Sequence, residues 1–108
     1  MQKFDVSKFV AGWFIGDFAE TALRTKGFEV AYKIHLAGEA WPTHYHAIAT
    51  EVNYLIEGKM DINGEIFESP CVFVIYPNEI ARPVFHTDCK LIVVKTPSLP
   101  GDKYEVTD

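Results

Sequence analysis

The chain has 108 residues, 48% of them apolar and 23% charged, with a formal net charge of −5. That length suits one domain with a single hydrophobic core, and that composition excludes a disordered chain. Basic residues are scattered, which excludes the basic stripe of a nucleic-acid surface, and no apolar run approaches the roughly 20 residues of a membrane span. Residues 1–27 read as an N-terminal strand or arm. Its apolar run Phe9–Ile15 contains Gly12 and lies between Asp5 and Asp17, without the marks of a signal peptide, so a cytoplasmic location is expected. Glu20–Thr25 allows a turn or two of helix before Gly27 stops it. From Phe28 to Leu36, apolar residues alternate with Glu29, Lys33 and His35, the pattern of a half-buried strand. This parity predicts Tyr32 on the interior, lining a cavity, and His35 on the outside.

The segment Gly38 to Gly58 carries the chemistry. His44 and His46 sit two residues apart, so on a strand they share a face with Cα atoms roughly 6.5–7 Å apart. Glu51 follows a short connection and can return a carboxylate to the same space. Two imidazoles and one carboxylate suit Fe, Mn, Zn, Ni or Cu better than Ca or Mg. In the strand Val52–Ile56, Asn53 and Leu55 follow Glu51 inward while Val52, Tyr54 and Ile56 face out. An outer face so apolar needs cover, by a second sheet or a second subunit, and a homodimer that also buries Val10–Ile15 is expected.

Asn63-Gly64 joins Lys59–Ile62 to Glu65–Phe67 as a hairpin, because both residues tolerate the positive φ of a type I′ turn. Pro70 precedes the strand Val72–Tyr76. A turn at Asn78–Ala81 leads to strands Arg82–His86 and Leu91–Lys95. Cys71 and Cys89 lie in different strands without CxxC spacing and are expected to be reduced, buried thiols. The tail, residues 96–108, holds Pro97, Pro100 and Gly101 and is expected to run extended along the surface. Its Gly101–Lys103 lacks the rest of a phosphate-binding loop. Short strands with frequent turn signals indicate an all-β sandwich or barrel.

Gly38, His44, His46, Glu51 and Gly58 resemble the first motif of the cupin superfamily, G-x5-H-x-H-x3/4-E-x6-G, at every defined position. The resemblance implies a small jelly-roll β-barrel of antiparallel strands over residues 1–108, usually homodimeric, with a divalent metal inside in many members. It implies His44, His46 and Glu51 as ligands of Fe, Mn, Zn or Ni. Of the second motif, G-x5-P-x-G-x2-H-x3-N, only Pro77 survives. Cys71 and Glu79 stand at the glycines, Arg82 at the histidine and His86 at the asparagine.

A guanidinium donates hydrogen bonds only and cannot ligate a cation. Arg82 is therefore expected either to pair with Glu51 or to hold an incoming carboxylate or phosphate. His86 shares its parity but lies roughly 13 Å along the strand, and becomes a fourth ligand only if the register slips.

Three functions fit these residues. The first is an interior site for a divalent transition metal, a small anionic ligand, or both. The second is a metal-independent isomerase or epimerase similar to those acting on nucleotide-linked sugars. There His44 or His46 is the base, Tyr32 or Tyr54 the acid, and Arg82 holds the anion. The third is a non-enzymatic domain that binds a small molecule.

Overall fold

Strand follows strand throughout the computed structural model, which describes residues 1–107. Two single 3-10 turns, Val6–Lys8 and Val10–Gly12, lead into β1 (Trp13–Gly16) and β2 (Leu23–Arg24). Then come β3 (Glu29–His35), β4 (His44–Tyr45), β5 (Thr50–Glu57), β6 (Lys59–Ile62) and β7 (Glu65–Glu68). The chain finishes with β8 (Cys71–Ile75), β9 (Pro83–Phe85), β10 (Cys89–Thr96) and β11 (Tyr104–Glu105). A large sheet runs β2-β1-β3-β10-β5-β8, a small one β7-β6-β9, and β11 pairs with β4. The large sheet is antiparallel except at β1–β2. Leu55, Phe73, Leu91 and Val93 from the large sheet meet Met60 and Phe85 from the small one in a single core. The two sheets therefore face each other, as a jelly roll requires.

Local chemistry accounts for the turns. Asn63 and Gly64 adopt φ of 54° and 85°, and β6 and β7 pair from Ile62↔Glu65 outward, as expected of a type I′ hairpin. Gly58, which ends the motif, has φ of 113°, and a Cβ there would lie 2.4 Å from the Asp88 carbonyl oxygen. Only glycine lets the chain leave β5 so close to the Asp88–Cys89 backbone.

Several expectations are corrected. Glu20–Thr25 forms no helix; Leu23 and Arg24 instead pair in parallel with Ile15 and Gly16. The tail is not a surface strand throughout: Ser98 and Asp102 are buried. Most consequential is the parity of β3. Ala31 and Glu29 are buried, Lys33 and His35 line the interior, and Tyr32 and Ile34 are exposed. The apolar set that the alternation assigned to the interior faces outward.

There it joins a wider apolar surface. The register aligns Tyr32 with Ile92, Ile92 with Tyr54, and Tyr54 with Val72 across β3, β10, β5 and β8. Tyr54 and Val72 are 48% and 58% exposed, so this face of the large sheet lacks cover within one chain. As expected, Asn53 and Leu55 are buried behind it. Both cysteines are free thiols, Cys89 buried and Cys71 partly so. Among the described residues no helix is long and apolar enough to cross a membrane.

Candidate functional site

The inner faces of the two sheets leave a cavity of about 270 Å³. His44 and His46 enter it from β4 and the turn that follows. Glu51 and Asn53 enter from β5, and Lys33 and Lys95 from β3 and β10. Phe73, Phe85, Leu91 and Val93 supply an apolar floor. His44 and His46 are both buried, their rings 5.4 Å apart between centroids and 75° inclined.

Each imidazole is held at Nδ1 by a backbone carbonyl, His44 by Pro42 at 2.9 Å and His46 by Asp102 at 2.5 Å. With Nδ1–H donating, Nε2 keeps its lone pair for the cavity. Nε2 of His46 is buried and has no hydrogen-bond partner. It faces Glu51 Oε1 at 3.6 Å, beyond hydrogen-bonding range. Glu51 Oε2 accepts from Asn53 Nδ2 at 3.0 Å. The Glu51 carboxylate holds the His46 imidazolium above its ordinary pKa, against the opposing effect of burial. Burial pushes Glu51 up, but His46 and Asn53 outweigh it and its pKa lies below the usual carboxylate value. Burial lowers the pKa of His44, so that ring favours the neutral form.

The tail builds this corner. Asp102 lies with its carboxylate against the turn after His46, accepting from the backbone N–H groups of Ala47 at 3.0 Å, Ile48 at 3.1 Å and Ala49 at 2.9 Å. One residue thus fixes the turn through its side chain and the His46 ring through its carbonyl. Ser98 Oγ donates to Glu29 and accepts from the Asp17 backbone, tying the tail to β3 and to the turn after β1.

Three residues expected at the site lie elsewhere. Arg82 is exposed, outside the cavity lining, and its backbone N–H donates to Asn63 Oδ1. The backbone of His44 bridges to Ala81, and Ala81, Pro83 and Phe85 face inward, one residue out of phase with the motif alignment. A one-residue shift flips every side chain of a strand, so Arg82 and His86 both leave the interior. His86 is exposed and pairs with Asp61. Tyr32 is 40% exposed on the outer face.

Residues not expected at the site line it instead. Lys33 and Lys95 both stand over the Trp13 ring, at 5.0 and 4.9 Å from its centroid, and Lys103 stands over Trp41 at 4.6 Å. His35, expected at the surface, lines the cavity and stacks on Phe85 at 4.1 Å between centroids. Lysines on a strand of mixed polarity carry no sequence signal for an inward direction. Asp102 and Lys103 reach the site because β11, which follows them, pairs with β4.

The donor set suits a transition metal in kind: two imidazole nitrogens without protein partners and one carboxylate on a common cavity. Carbonyl bonds at Nδ1 are also the outer support that metal-bound histidines usually have. Among the described residues, however, no three His, Cys, Asp or Glu side chains are already arranged to hold an ion.

No protein-family model matches the sequence, and no curated protein matches it. Solved structures share its architecture. A double-stranded β-helix protein from Klebsiella pneumoniae aligns over 99% of this chain and 93% of its own, with a TM-score of 0.71 at 14% identity. An acetylacetone dioxygenase from Acinetobacter johnsonii aligns over 77% of this chain with a TM-score of 0.65 at 18% identity. This chain spans only 57% of that dioxygenase. A cupin-2 domain protein from Shewanella frigidimarina aligns over 67% of this chain and 72% of its own, with a TM-score of 0.56 at 16% identity.

Proposed function

We propose that this chain, whose fold is that of the cupins, binds a small molecule in its interior beside a divalent transition metal held by His44, His46 and Glu51. The observation that carries the reading is the buried, unpartnered Nε2 of His46 facing the Glu51 carboxylate. A buried polar atom without a partner costs about 1–3 kcal/mol, and an ion coordinated there removes that cost. Fe, Mn, Zn or Ni would supply a Lewis acid, or in the case of Fe or Mn a redox centre. The chain's own residues do the rest. The carbonyls of Pro42 and Asp102 keep Nδ1 protonated, Asn53 orients Glu51, and Phe73, Phe85, Leu91 and Val93 offer apolar surface to a ligand.

Protons and metal ions compete for the imidazole nitrogens, so metal affinity rises with pH. Elemental analysis of purified protein and titration with Fe, Mn, Ni and Zn test the reading. One equivalent of metal, absent from a His44→Ala/His46→Ala variant that still folds, is the expected result. Protein that ignores all four metals refutes it.

Lys33, Lys95 and Lys103 on the cavity lining favour a second reading, in which the cavity grips a small anionic molecule without metal. The isomerase or epimerase reading has less support, because Tyr32 and Tyr54 are exposed and no tyrosine lines the cavity. For the outer apolar face we propose a second copy of the chain, with Tyr54 and Val72 near the centre of contact.

A further inference from the structure

The interior departs from the charge of the molecule around it. The chain carries 15 acidic and 10 basic residues, yet among the described residues Lys33, Lys95 and Lys103 line the cavity against a single carboxylate, Glu51. Lys95 is matched by Glu29 at 3.3 Å, and Glu51 is engaged with His46 and Asn53. Among the described residues neither Lys33 nor Lys103 forms an ion pair. Lys33 Nζ donates to the Ala11 carbonyl at 2.6 Å, which satisfies one of its protons and none of its charge. Lys103 lies over the Trp41 face, with Glu105 and Glu51 acting on it only at longer range.

These ammonium groups feel one another. Burial and then the charge of Lys95 lower the pKa of both Lys33 and Lys103. Like charges gathered over a low-dielectric floor repel, and cation–π contacts of about 0.5–2 kcal/mol offset this only in part. An anion entering between them removes the repulsion and gains charge-assisted hydrogen bonds. Phe73, Phe85, Leu91 and Val93 line the same cavity, which suits a hydrocarbon or aromatic body rather than a bare inorganic ion.

From this juxtaposition we infer that the mouth of the cavity is a carboxylate subsite formed by Lys33, Lys95 and Lys103, taking a small organic acid whose apolar body enters toward His44 and His46. The inference rests on the reading that the interior is a ligand site, and replaces Arg82 as the anion-holding group. It does not depend on whether a metal is bound.

The test compares benzoate with its neutral isostere benzamide by calorimetry or chemical-shift titration on the intact protein. Benzoate should bind at least about tenfold more tightly, with an advantage that shrinks as salt is raised. Lys33→Met and Lys103→Met should each weaken benzoate without weakening benzamide, and leave metal content unchanged. Equal binding of the two probes overturns the carboxylate subsite while leaving the ligand pocket standing. Failure of both probes at about 10 mM overturns the subsite and the pocket together. The benzoate-to-benzamide ratio and its salt dependence are read on the unaltered chain, so the answer survives a variant that does not fold.

Discussion

Replacing Asp102 by alanine should be among the most damaging single changes outside the hydrophobic core. Its carboxylate is 6% exposed by residue and takes three backbone donors, from Ala47, Ile48 and Ala49. A hydrogen bond to a charged group contributes about 1.5–3 kcal/mol, and water entering the opened turn recovers part of three such bonds. The net loss is about 3–5 kcal/mol, against a total stability of about 5–15 kcal/mol for a domain of this kind. Urea unfolding measures it. At an m value of about 1–3 kcal/mol/M the midpoint should fall by about 1–5 M with m unchanged.

Acid supplies an internal control. Burial pushes the Asp102 carboxyl up, but the three N–H bonds outweigh it and hold the pKa below the ordinary 3.8. A depressed pKa adds stability that is complete above 3.8 and lost as pH falls through the folded value. The gap between parent and variant should therefore be constant above pH 3.8 and narrow below it. A loss under about 1 kcal/mol at neutral pH would refute the role given to this side chain.

Other perturbations separate position from chemistry. Gly58→Ala meets both a forbidden φ and the Asp88 carbonyl, and should cost about 2–4 kcal/mol in chemical denaturation. Arg82→Ala should alter stability by less than about 0.5 kcal/mol and leave benzoate affinity unchanged, because the side chain is outside the cavity. A clear loss of affinity would return Arg82 to the interior. The parent should sediment as a dimer at micromolar protein, and Tyr54→Lys with Val72→Lys as a monomer. A monomeric parent would contradict the assigned partner.

The sequence was most legible where backbone chemistry or spacing decides the outcome. Asn63-Gly64 marked its hairpin through two positive φ values. The Gly38-to-Gly58 spacing predicts that His44, His46 and Glu51 converge, and all three line one cavity. Polarity misassigns the faces of β3, because a polar side chain there need not face solvent. Here the cavity is charged and the outer face apolar, so Tyr32 and Lys33 exchange the sides that polarity predicts. Arg82 failed for a different reason. A gapless alignment on Pro77 cannot register that His44 pairs with Ala81, and one residue of phase carries the guanidinium outside. The tail was illegible because the value of Asp102 and Lys103 lies in contacts with residues about 55 positions away or more.

The two tryptophans of this chain, Trp13 and Trp41, both border the interior, and each has an ammonium group against its indole face. Indole emission responds to nearby charge and polarity, and no third fluorophore of its kind dilutes the signal. The molecule consequently carries its own optical gauge of occupancy: whatever draws Lys33 or Lys103 off its ring should shift the ultraviolet emission, with no dye or label attached.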